Sequence, residues 1–268
     1  MQKRITRRSA LGSMIACACC FPGLPGLRAE EKASGGAGTA PHWGYEGAVS
    51  PEHWAELSPD FKTCQIGMEQ TPIDLKGGIK AQFNKPFSLA YKPVGGKIIN
   101  NGHTIQVNMD KGCSCSIEGV SYDLLQFHFH HPSEHLLAGK PFRMEAHFVH
   151  KAQSGALAVI GVFMKEGAAN ALLAPVFNDM PTAEGGEKAL RAPLNPSGFF
   201  PARRGYYRYM GSLTTPPCSE GLTWTVFKEP VAASAEQIRK FAALFANNAR
   251  PIQNRNRRFL LEGGPAGS

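Results

Sequence analysis

The stretch Leu124-Leu125-Gln126-Phe127-His128-Phe129-His130 alternates polar and aromatic residues with a period of two. As a strand it carries Gln126, His128 and His130 on one face and Phe127 and Phe129 on the other. Two imidazoles therefore share a surface, and the aromatic rings enter a packing layer behind them. Downstream, Arg143 to His150 has the same parity, with Glu145, His147 and Val149 on one face. The intervening His131 to Phe142, with Pro132, Gly139 and Pro141, reads as a hairpin connection that brings the second run antiparallel to the first. A third imidazole then faces the first two. Three neutral nitrogens around one point leave a fourth tetrahedral position open, as catalytic zinc sites do. Gln126 and Glu145 fit as acceptors for the ring N–H on the far side of a ligand histidine.

The surroundings read mainly as strands. Ile98-Ile99, Thr104 to Met109, Ser116 to Val120, Ala156 to Met164, Tyr206 to Met210 and Leu222 to Phe227 are β-branched or aromatic runs between Gly, Asn, Pro and Asp turns. Helical spacing is confined to Ala168 to Phe177 and to a segment capped by Ser234, where Ile238 and Phe241 share a side with Leu244 or Phe245. The expected fold is mainly β: a single domain on a large, twisted, mostly antiparallel central sheet with a few short helices. A chain of 268 residues, 43% hydrophobic and 19% charged, has the composition of a packed globule.

The net charge of +8 is not evidence of a nucleic-acid partner. Lys3, Arg4, Arg7, Arg8 and Arg28 precede Glu30, and without them 24 basic residues face 21 acidic ones. Arg203, Arg204 and Arg208, and Arg250, Arg255, Arg257 and Arg258, read as solvated faces. The opening has a basic n-region and an apolar run from Ala10 to Phe21, too short to span a membrane, so residues 1–29 read as an export signal. Thr6-Arg7-Arg8-Ser9-Ala10-Leu11 is similar to a twin-arginine signal, and Met14-Ile15-Ala16-Cys17 offers a lipoprotein box as the alternative, with a lipid anchor on Cys17. Residues 30–41 read as a flexible linker, 42–262 as the domain and 263–268 as a disordered tail. The expected location is periplasmic or secreted. Of the four remaining cysteines, a bridge between Cys113 and Cys115 would be strained, and Cys64 with Cys218 is the preferred pair.

His42-Trp43-Gly44-Tyr45, Pro51-Glu52-His53-Trp54, Gln70-Thr71-Pro72-Ile73-Asp74, Asn100-Asn101-Gly102-His103, Gln126 to His130, Ser133-Glu134-His135, Glu145 to His150, Gly211 to Pro217 and Trp224 together resemble the α-class carbonic anhydrases of exported bacterial type. The resemblance implies reversible hydration of carbon dioxide to bicarbonate on Zn2+, with His128, His130 and His147 as ligands and a hydroxide as the attacking group. It implies that Thr214 takes the hydroxide's proton in a hydrogen bond and donates its own to Glu134. Val149, Val159, Leu213 and Trp224 correspond to the carbon dioxide pocket. His103 corresponds to the proton shuttle, and Tyr45, Asn100, Asn101 and Thr215 to residues that order the connecting waters. Asn248 corresponds to the residue whose carbonyl fixes His130. Cys64–Cys218 matches the disulfide of exported members, and Thr71-Pro72 and Pro216-Pro217 match cis prolines. Cys113 and Cys115 have no counterpart, and the oligomeric state stays open.

Two other functions fit parts of the sequence. A binding protein on the same fold would be expected to lack a ligand histidine, whereas all three are present with Thr214 and Glu134. A zinc carrier would need a polar, flexible His tract, whereas these histidines alternate with Phe127, Phe129 and Phe148 in packable strands.

Overall fold

The computed structural model describes residues 41–264. The expected export signal, Cys17 and nearly all of the expected linker fall outside the described residues, as do residues 265–268.

Eight strands carry the architecture: β1 Gly96–Asn100, β2 Ile105–Met109, β3 Ser114–Ile117, β4 Val120–His130, β5 Met144–Ala152, β6 Leu157–Glu166, β7 Tyr206–Ser212 and β8 Glu220–Phe227. They run side by side in the order β1-β2-β4-β5-β6-β8-β7, with β3 paired to β4. Five short strands complete a 13-stranded sheet. Most pairings are antiparallel, but β6 runs parallel to β8 and to Val231–Ala233, so the sheet is mixed. The parallel β6–β8 pairing needs a long crossover, and residues 167–219, which include β7, lie between the two strands.

The expected strand Ser116 to Val120 is instead a tight hairpin. Glu118 (φ 49°) and Gly119 (φ 81°) both take the left-handed conformation, which joins β3 to β4 through a two-residue turn. The expected helix from Ala168 shrinks to Ala174–Phe177, because Pro175 lacks an N–H and sits in the opening turn. The second expected helix, α1 Ala235–Ala242, starts at Ser234 with a reciprocal Ser234/Gln237 capping box, and two one-turn helices, Trp54–Leu57 and Thr63–Ile66, lie outside the expected segments.

One sheet face carries a core with Phe127, Phe129, Phe148, Phe177, Phe199 and Phe241 fully buried, onto which α1 packs. The other face carries the imidazoles and a second apolar cluster containing Ile73, Val149, Val159, Tyr209 and Trp224. Cys64 and Cys218 form a disulfide and pack with Trp54. Cys113 and Cys115 are free and buried. Thr71-Pro72 and Pro216-Pro217 are cis, and so is His131-Pro132, which the sequence did not mark. No helix among the described residues is long and apolar enough to cross a membrane.

Candidate metal centre

Strand register assembles the site. Across β4 and β5, His128 is the direct partner of His147, Gln126 of Val149 and His130 of Glu145. The sheet has one irregularity here, between Leu124 and Gln126, and the regular ladder that follows keeps the three imidazoles on one face. One nitrogen from each of His128, His130 and His147 falls within 4.8 Å of the other two.

The second nitrogen of each ring is engaged. His128 donates from Nδ1 to Gln126 Oε1 at 2.8 Å, and His130 donates from Nδ1 to the Asn248 carbonyl at 2.7 Å. His147 donates from Nε2 to Glu145 Oε1 at 2.9 Å. The free lone pairs are thus Nε2 of His128 and His130 and Nδ1 of His147. Burial holds the pKa of His128 well below the ordinary imidazole value, with His130 and His147 adding to the effect, and burial lowers that of His130 as well. Both rings are neutral at physiological pH, as a metal ligand must be.

Burial alone would raise the Glu145 pKa, but His135 and His147 hold it well below the usual carboxylate range. His135 donates from its backbone N–H to Oε2 at 2.9 Å and from Nδ1 to Oε1 at 2.8 Å. Its Nε2 lies 2.6 Å from the Tyr209 hydroxyl, itself 3.2 Å from Thr71 Oγ1. This buried chain behind His147 escaped sequence reasoning, although His135 was part of the quoted Ser133-Glu134-His135. Facing His147 across β5–β6 is Gly161, where a Cβ would meet Glu145 Oε1 at 3.0 Å and the Val226 methyls at 3.2 Å. A side chain there would crowd the carboxylate.

Glu134 is fully buried and accepts the Arg250 backbone N–H at Oε1. Its Oε2 has no partner, nor does His130 Nε2 3.5 Å away, and His147 Nδ1 lies 3.7 Å from the same oxygen. Leaving one buried polar atom unpaired costs about 1–3 kcal/mol, so the unpaired Glu134 oxygen beside three free ring nitrogens marks a group that could hold a cation and its solvent. Thr214 is buried just past the end of β7, but the hydrogen bond to Glu134 that the resemblance implies is not formed. Arg250, read above as a solvated face, is buried instead: its guanidinium donates to the carbonyls of Thr71 and Cys64.

The other predicted residues are placed as follows. Val149, Val159 and Trp224 are successive partners across β5, β6 and β8, and Leu213 packs on the same cluster. The Trp224 ring centroid is 4.9 Å from that of His147. His103 stacks on Trp43 with centroids 3.6 Å apart. Burial lowers its pKa, while Glu184 opposes the shift. Asn248 links the two regions, donating from Nδ2 to the carbonyls of His103 and Phe129. Burial and the Glu134 charge keep the Tyr45 phenol protonated, Arg250 opposing them. Thr215 lies in the turn before Cys218, whose N–H it accepts.

Asn100 departs from its expected role. Its Nδ2 donates to the Pro181 carbonyl and its Oδ1 accepts the Gly102 N–H, so both ends of the amide hold the turn. Asn101 Oδ1 accepts the N–H groups of His103 and Thr104. Polar side chains on the site face of this region are Gln106, the direct partner of His128, and Asn108, the partner of Gln126, whose Oδ1 accepts from Gln106 Nε2. The alternation Ile105-Gln106-Val107 was the signal that could have found Gln106.

The family model described as eukaryotic-type carbonic anhydrase matches residues 49–262. The chain belongs to the carbonic anhydrase family. A carbonic anhydrase of Pectobacterium atrosepticum is 45% identical over 230 residues, covering 85% of this chain and 93% of that protein. The α-carbonic anhydrase of Thermovibrio ammonificans, solved in complex with the inhibitor sulfanilamide, superposes with a TM-score of 0.81 at 45% identity, covering 83% of this chain and all of that one. Dioscorin, solved in complex with ascorbate, shares the carbonic anhydrase fold with this chain at 32% identity and a TM-score of 0.80, covering 85% of this chain and all of that one. Family membership implies carbon dioxide hydration, and α-class carbonic anhydrases are zinc enzymes.

Proposed function

We propose that the chain hydrates carbon dioxide reversibly to bicarbonate and a proton, with Zn2+ held by His128, His130 and His147. The observation that carries this reading is the convergence of three free ring nitrogens whose far sides are already fixed, beside an unpartnered Glu134 oxygen. Three nitrogen donors with hydrogen-bonded far sides suit zinc and leave room for solvent. When bound, the ion supplies Lewis acidity that lets a water lose its proton near neutral pH, an effect for which carbonic anhydrase is itself the reference case.

The chain's own residues do the rest. Gln126, the Asn248 carbonyl and Glu145 hold each ring in one tautomer. Thr214 and Glu134 orient the reacting water once the Thr214 hydroxyl turns onto the unpartnered Glu134 oxygen, because a carboxylate can only accept and so gives that series one direction. Carbon dioxide carries no net charge, and Val149, Val159, Leu213 and Trp224 offer it an apolar wall. His103 takes the released proton outward by way of waters ordered by Tyr45, Asn101 and Thr215, with Gln106 replacing Asn100 in that role. We also propose export to the periplasm or beyond, supported by the basic and apolar opening of the sequence and by the Cys64–Cys218 disulfide.

Stopped-flow carbon dioxide hydration tests the reading on the protein as purified, after zinc removal, after zinc return and as His147→Ala. Activity should vanish on stripping, return with the metal and be lost in the variant. Equal rates in all four samples would refute it.

A further inference from the structure

A cavity of about 920 Å³ opens beside β7, lined by Arg208, Tyr209 and Met210 of that strand. Along β7, Tyr207 and Tyr209 alternate with Arg208 and Met210, and Tyr209 is the one that reaches His135. Arg208 therefore leaves the strand on the opposite face. The sequence reading made it part of a solvated patch, but only 5% of the residue is exposed. Its guanidinium is clasped by the rings of Phe83 and Tyr206, each with its centroid 4.6 Å from the Arg208 Cζ.

Stacking occupies the faces of a guanidinium and leaves its N–H groups, which lie in the plane, unsatisfied. Nε donates to Thr225 Oγ1 at 3.3 Å, while Nη1 and Nη2 have no hydrogen-bond partner. Glu118, on the β3–β4 turn, comes to 3.6 Å of Nη1, beyond hydrogen-bond reach and with its side chain 40% exposed. Arg258, at the same cavity, is already engaged by four backbone carbonyls, which take four of its five N–H groups.

The mouth is apolar. Met68, Val120, Met210 and Phe259 all line the cavity and are four of the eight large hydrophobic side chains left exposed among the described residues. The cavity thus joins an oily rim to a recessed cation with two free donor groups. A flat protein surface does not reach a residue that is only 5% exposed, and the volume lies in the range of small-molecule sites.

We infer that this cavity binds a free single-chain amphiphile with an anionic head, of the fatty-carboxylate class, its carboxylate on Arg208 Nη1 and Nη2 and its chain along Val120, Met210 and Phe259. Titration calorimetry with decanoate below its micelle concentration tests this, with decanol as the neutral control. Decanoate should saturate one site and bind at least about tenfold more tightly than decanol, because hydrogen bonds to a charged group outweigh neutral ones. Arg208→Met should remove that difference, and Phe259→Ser, an exposed change that leaves the fold intact, should weaken both ligands. His128→Ala should bind decanoate as the unaltered protein does, which separates this cavity from the metal centre. Equal affinity for decanoate and decanol, unchanged binding in Arg208→Met, or loss of binding in His128→Ala would overturn the proposal. So would sedimentation on anionic vesicles, or a dimer dissolved by Phe259→Ser, without uptake of decanoate.

Discussion

His147 donates from Nε2 to Glu145 Oε1 over 2.9 Å, two residues away on the same face of one strand. That single bond decides which nitrogen of His147 is free. Because Glu145 is held in turn by two N–H groups of His135, the ring cannot turn without breaking a buried network.

Glu145→Gln keeps the size of the side chain but removes its charge and half its accepting capacity. Zinc affinity should fall by roughly 10- to 100-fold, the usual cost of losing such a support, with the fold retained. Competition against a chelator measures it; an affinity equal to that of the unaltered protein would show that Glu145 does not set the ligand.

Proton transfer through His103 should be separable from the chemistry at the metal. In weak buffer, His103→Ala should lower kcat by roughly a hundredfold, leave kcat/KM nearly unchanged and respond to added imidazole. The histidine pKa is lowered from 6.5 chiefly by burial, so the His103-dependent limb of kcat should lie below pH 6.5. Trp43→Ala uncovers the ring and should move that limb upward. A limb that stays in place would remove the stacked ring as its cause.

The parity of His128, His130 and His147 was legible because a strand has a period of two and β4 is regular from Gln126 onward. Charged residues were read less well. Arg208 and Arg250 resemble solvated side chains until the folded chain supplies aromatic rings and carbonyls from Phe83, Tyr206, Cys64 and Thr71, all distant in sequence. Asn100 was misread because an asparagine before a glycine turn serves a turn or a water equally well. The parallel β6–β8 pairing depends on a crossover of more than 50 residues, which local patterning does not encode.

Acid stability should depend on His150, whose role lies outside the site. It is fully buried, and burial depresses its pKa from 6.5 to about 4. Above pH 6.5 the ring is neutral in both folded and unfolded chains. As pH falls from 6.5 to 4, the unfolded chain takes up a proton that the folded one resists, so stability is lost by up to about 1.4 kcal/mol per pH unit. The Tyr91 hydroxyl pairs with His150 Nε2, so His150→Gln still offers it an acceptor and should flatten that part of the profile by nearly one proton. Urea unfolding from pH 4 to 7 checks it; an unchanged slope would assign the acid response elsewhere.

The most direct test of the central claim is anomalous diffraction at the zinc edge from crystals of the purified protein. The account predicts one peak about 2 Å from His128 Nε2, His130 Nε2 and His147 Nδ1. A peak bound to the opposite nitrogen of any of these rings, or zinc located away from them, would contradict it.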